Sequence, residues 1–202
     1  MSRFAIDISP LKKSRDFRNL WASGLITNLG SMITYVAVPF QIKELTHSYV
    51  AVGLSGLVEI LPLIIFGLYG GVLADAVDRK KMVWATEAAS LILTAILLIN
   101  ALTPAPHLVL IYVVSGLFAA VNGLQRPSAD AALPRLVDHD DLPAASALMS
   151  LRWQLGVIVG PTIGGVIIST FSIPVGYAAD VFTFVISLIF LSRVRSIPAA
   201  KE

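Results

Sequence analysis

The sequence predicts an all-α membrane protein built from six transmembrane helices, and three observations carry that reading. First, 56% of the 202 residues are hydrophobic and only 14% are charged, whereas a soluble domain carries about 25% charged residues. So few charges cannot cover a globular surface in water, and the mean hydropathy of +0.80 agrees. Second, the apolar residues gather into six runs, each near the roughly 20 residues that a membrane-spanning helix needs. Third, 14 of the 15 lysines and arginines fall on one side of a chain threaded six times through a bilayer.

Residues 1–19 form a polar tail containing Arg3, Lys12, Lys13, Arg15 and Arg18. The first apolar run, 20–42, is long enough to span and lacks a clear cleavage site, so it reads as a retained helix and not as a signal peptide. Glu44 to Tyr49 separates it from the second run, 50–74. The charged loop 75–81 follows, with Arg79, Lys80 and Lys81, and then the third run, 82–102. Thr103-Pro104-Ala105-Pro106 marks a turn before the fourth run, 107–125. The longest loop, 126–146, leads to the fifth run, 147–170, and Phe171-Ser172 turns the chain into the sixth, 173–191. Residues 194–202 read as the start of a cytoplasmic linker.

Unpaired backbone amides are not tolerated in lipid, so the runs are expected to be helices. Their continuity argues against the alternating strands of a barrel. Basic residues favour the cytoplasmic side. Only Lys43 lies opposite the other 14, which puts both termini in the cytoplasm and the bundle in an inner or plasma membrane. The central loop divides three helices from three, the pattern of transporters built from three-helix repeats. A proline and a glycine pair recur in the second and fifth helices, as Pro62 with Gly70-Gly71 and Pro161 with Gly164-Gly165.

Two motifs stand out. The loop after the second helix reads Gly71-Val72-Leu73-Ala74-Asp75-Ala76-Val77-Asp78-Arg79-Lys80-Lys81. It resembles the signature G-x-L-A-D-x-x-G-R-K of the major facilitator superfamily, with Asp78 where that pattern has glycine. On physical grounds Gly71 is expected to allow close helix approach. Asp75 is expected near the start of the third helix, where a carboxylate meets unpaired amides. The fifth helix reads Gly156-Val157-Ile158-Val159-Gly160-Pro161-Thr162-Ile163-Gly164-Gly165, which resembles the superfamily's antiporter signature G-x-x-x-G-P-x-x-G-G at every defined position. Glycines four apart make a smooth face that lets membrane helices pack closely, and Pro161 removes a backbone hydrogen bond. Val38-Pro39-Phe40-Gln41-Ile42 extends the likeness toward drug and siderophore exporters.

The resemblance implies one six-helix half of a twelve-helix secondary transporter that exports a small drug-like or siderophore-like molecule in exchange for protons. It implies a role in cytoplasmic gating for Gly71, Leu73, Asp75, Asp78, Arg79 and Lys80, and a rocking interface at Gly156, Gly160, Pro161, Gly164 and Gly165. The expected partners are the substrate, protons, the lipid bilayer, and either a missing carboxy-terminal half or a second copy. Ionisable groups inside a membrane are costly and usually functional. Glu59 is therefore the leading proton-site candidate, followed by Asp180, with Arg152, Arg126 and Asn28 as further substrate or proton-site candidates. Glu87 reads as a carboxylate nearer the cytoplasmic edge. Tyr35, Asn122, Gln125 and Gln154 are candidates for the cavity wall or for contacts between helices.

Other classes fare worse. Gly53-Leu54-Ser55-Gly56 resembles the G-x-S-G of rhomboid proteases, but that chemistry needs a histidine base near the serine. His47, His107 and His139 all fall in loops or at helix edges. No enzyme activity is expected. With no cysteine in the chain, thiolate metal sites and disulfides are excluded. No phosphate-binding loop, metal cluster, cofactor site or nucleic-acid surface is expected. The alternative to transport is a six-helix interaction or regulatory protein, or a fragment without transport of its own.

Overall fold

A computed structural model describes residues 7–195, apart from the side chains of residues 72 and 74–76. Arg3, the Asp75 side chain and residues 196–202 of the expected linker therefore lie outside the described residues. The described chain is all-helical: α1 (Ser9–Lys13), α2 (Arg15–Thr46), α3 (Tyr49–Ala76), α4 (Arg79–Leu102), α5 (Leu108–Ala132), α6 (Leu142–Thr170) and α7 (Ile173–Ser192). Single 3-10 turns at Leu133–Arg135 and His139–Asp141 join α5 to α6. Helices α2 to α7 are the six long and apolar enough to cross a membrane.

The helices outrun the apolar runs because polar residues cap them beyond the lipid. Helix α2 begins at Arg15, where Ser14 Oγ accepts the Phe17 amide at 3.1 Å. It ends at His47, whose φ of 53° closes the helix in the left-handed region. Its 32 residues extend about 48 Å, well past a hydrocarbon core of about 30 Å. Helix α5 continues to Ala132 and α6 starts at Leu142, so much of the stretch 126–146 is helix. Pro39, Pro62, Pro127 and Pro161 all lie inside continuous helices.

Packing does not follow chain order. Helix α3 lies along α5, α2 lies between α6 and α7, and α4 lies between α5 and α7. Exchanging α2 with α5, α3 with α6 and α4 with α7 converts this pattern into itself. That is the packing of two equivalent three-helix units. Ala37, Ile42, Leu97, Ile111 and Tyr177 form the core at one end, and Leu20, Val83, Ala132 and Leu191 form it at the other. The equivalent helices α3 and α6 are peripheral. Only 6% and 17% of their apolar windows are buried, against 33–39% in the other four.

Ties at one end hold the tail, the α3–α4 turn, the α5–α6 connection and the end of α7 together. Lys13 Nζ pairs with Asp141 at 2.9 Å. Asp16 accepts the Arg195 amide at 3.3 Å, and Lys80 Nζ reaches the Ser192 carbonyl at 3.5 Å. The hydrogen bond and charge of Asp141 raise the Lys13 pKa above its ordinary value.

Candidate functional site

The turn between α3 and α4 is built differently from its sequence expectation. Asp75 lies in the last turn of α3, which ends at Ala76, and not at the start of the next helix. The N-cap of α4 is Asp78, whose Oδ1 accepts the Lys81 amide at 3.1 Å. Asp78 has φ −57° and ψ 117°. This backbone needs no glycine, which explains how aspartate stands where the superfamily pattern has one. Arg79, the first residue of α4, is buried, while Leu73 is exposed. The close approach expected at Gly71 belongs to its neighbour. A Cβ on Gly70 would lie 2.8 Å from the Gly123 carbonyl of α5, whereas one on Gly71 meets no atom within 4 Å.

The glycine face of α6 packs on α2. A Cβ at Gly156 would strike the Asn28 side chain, one at Gly160 the Met32 side chain, and one at Gly164 would come within 3.0 Å of Ile33 Cα. Gly165 faces open space, and Pro161 is half-buried within the helix. Asn28 uses the room above Gly156 to donate from Nδ2 to the carbonyls of Arg152, at 3.2 Å, and Trp153, at 3.4 Å. The Arg152 guanidinium lies against Gly24 of α2, with Nη1 3.5 Å from the Leu20 carbonyl. Arg126 of α5 stands 5.2 Å over the Trp153 ring. Asn28, Arg126 and Arg152, three of the sequence-predicted candidates, therefore converge.

The two carboxylates ranked highest part company. Asp180 is fully buried and accepts from Thr34 Oγ1 at 2.5 Å, with Thr94 Oγ1 at 3.5 Å and Thr183 Oγ1 at 3.2 Å. Glu59 is half-buried on α3, beside Val58, which packs on Gly116 of α5. No hydrogen bond joins Glu59 to another described residue. Glu87, in the half of α4 nearer the α3–α4 turn, is enclosed by the bundle. Only 2% exposed, it accepts from Thr27 Oγ1 at 3.0 Å and from Gln125 Nε2 at 2.9 Å. Tyr35 and Gln154 are exposed, and Asn122 bonds within its own helix to the Phe118 carbonyl.

A sequence-family comparison bears on this arrangement: the model of the transmembrane secretion effector family, part of the major facilitator superfamily, matches residues 5–202. The chain belongs to this family. Among curated transmembrane proteins, it is 33% identical over 203 residues to the enterobactin exporter EntS of Shigella boydii. It is 32% identical to those of Citrobacter koseri and Salmonella typhimurium. Each alignment covers 98% of the chain and 48% of the relative, so the chain spans about half the length of the curated relatives it matches. Membership of this family and the six spans make it an integral membrane protein of a transporter superfamily. Ser55 of the rhomboid-like string donates to the Val52 carbonyl of its own helix at 2.7 Å. No group of three or more potential metal ligands gathers among the described residues.

Sequence reasoning passed over Thr27, Thr34, Thr94 and Ser187. A signal for them existed. Thr27 and Thr34, Glu87 and Thr94, and Asp180 and Ser187 are pairs spaced by seven residues on three different spans, a spacing that keeps each pair on one helix face.

Proposed function

We propose that the chain is the amino-terminal half of a secondary active exporter that moves a small siderophore-like molecule out of the cytoplasm in exchange for protons. The observation that carries the reading is the bundle of two interchangeable three-helix units, which leaves the faces of α3 and α6 uncovered. A second six-helix half fits there, with substrate bound between the halves and access alternating from side to side. The basic residues favour a cytoplasmic location for the end that holds the tail, the α3–α4 turn and the end of α7. Asp75, Asp78, Arg79 and Lys80 would fasten the cytoplasmic gate, with Gly70 in place of Gly71 at the helix contact. The α6 glycine face is the joint about which α6 shifts on α2. Asn28, Arg126 and Arg152 are offered to the substrate, and Glu59 and Asp180 to the proton.

The relatives named as enterobactin exporters supply the probe. Inside-out membrane vesicles carrying the native gene product should accumulate enterobactin when their interior is acid, and lose that accumulation when the proton gradient is collapsed. Accumulation that ignores the gradient, or no accumulation above vesicles lacking the protein, overturns this reading. A blot of the native product is expected near twice the 21.6 kDa of this chain.

A further inference from the structure

Helices α2, α4 and α7 meet along a seam that is polar where a membrane bundle is ordinarily apolar. It has two levels, seven residues and therefore about 10 Å apart. At the first, Glu87 of α4 accepts from Thr27 of α2 at 3.0 Å. At the second, Asp180 of α7 accepts from Thr34 of α2 at 2.5 Å and lies 3.5 Å from Thr94 of α4. None of these side chains is more than 9% exposed. Ser187 of α7, fully enclosed, faces the Glu87 carboxylate and makes no hydrogen bond of its own.

No lysine or arginine among the described residues pairs with either carboxylate. Arg152 is near enough to act on Glu87, but its guanidinium is turned to the Leu20 carbonyl. Carboxylates enclosed in a membrane protein without a cationic partner are costly and mark proton or ion paths. The Thr34–Asp180 separation has the length of a direct charge-assisted hydrogen bond. A hard cation, at about 2.3–2.6 Å from each oxygen, would hold the two apart.

We propose that Glu87 and Asp180 are the two stations of a proton pathway enclosed within this half, lined at its two levels by the hydroxyls of Thr27, Thr34 and Thr94. In each cycle one proton bonds to an Asp180 oxygen as it arrives from the outer side. One O–H bond at Glu87 breaks as a proton leaves to the cytoplasm, and transfer between the stations restores the start. The inference rests on the proton-driven reading above.

The test uses the native gene product in proteoliposomes, with enterobactin as probe, and compares wild type with Glu87→Gln and Asp180→Asn. Each variant should lose pH-driven accumulation by roughly a hundredfold or more while retaining enterobactin counterflow, which needs no net proton movement. Infrared difference spectra between acid and alkaline buffer should show a carboxylic-acid band in wild type that shrinks in both variants. Thr94→Val, which keeps both carboxylates, should slow accumulation and leave the band intensity intact if the other variants misfold. Unchanged pH-driven accumulation in both carboxylate variants overturns the pathway and leaves the exporter standing. So does a band that neither variant alters, or a band and transport that follow sodium at fixed pH. Wild-type transport that ignores the pH gradient removes the proton-driven reading and the pathway with it.

Discussion

The α3–α5 and α6–α2 contacts are equivalent joints between the two three-helix units, yet they are made from different material. In the first, backbone meets backbone. A Cβ on Gly123 would sit 2.8 Å from the Gly67 amide nitrogen and 3.0 Å from the Leu63 carbonyl. In the second, the glycines of α6 mostly face side chains, those of Asn28 and Met32, and touch the α2 backbone at Leu29 and Ile33. Main-chain atoms cannot turn aside, whereas a side chain can change rotamer. One of the two contacts between the units is therefore locked and the other is adjustable. This places any sliding between helices at α6, on the helix that carries the antiporter-like string.

Three substitutions break or sharpen the contrast. The largest effect is expected for Gly123→Val, which forces bulk into the α3–α5 backbone. Overpacking of this kind costs about 3 kcal/mol, read as a large drop in the thermal midpoint of the protein in detergent. A loss no greater than that of a surface change would remove the claim that this contact is rigid. Next comes Gly156→Ala, which displaces Asn28 and costs about 1 kcal/mol for its hydrogen bonds. Asn28→Ala should absorb that cost, so the double variant is expected to be no less stable than Asn28→Ala alone. Additive losses would mean that the α6–α2 contact is as unyielding as its counterpart. The smallest effect is expected for Gly165→Ala, within about 0.5 kcal/mol, because its Cβ enters open space. A clear loss there would show that the glycine face is wider than the three positions seated on α2.

The six spans were legible because length and hydropathy alone decide whether a segment crosses a bilayer. Rotation about each helix axis was not. Helix α3 is apolar on nearly every side, so nothing in its composition says that Gly70 and not Gly71 meets α5. Similarly, Glu87 sits eight residues after the start of α4, which alone suggests a carboxylate near the membrane edge. What encloses it is Thr27, sixty positions earlier, and Gln125, thirty-eight later. The cap at α4 was misplaced by three residues because Asp75 and Asp78 have the same chemistry, and only the backbone angles choose between them.

The salt bridge that fastens α1 to the start of α6 joins residues 128 apart in the chain. At about 5–20 residues per second, a ribosome needs roughly 6–25 s to supply the second partner after the first. Helix α2 faces the same wait, since its main neighbours are α6 and α7 and not α3. During synthesis the first span must therefore stand in the bilayer among lipids, or beside the insertion machinery, until the last two emerge. The six-helix bundle is assembled by α6 and α7 closing around α2, and a pause in translation before residue 142 would leave a protein inserted but unlatched.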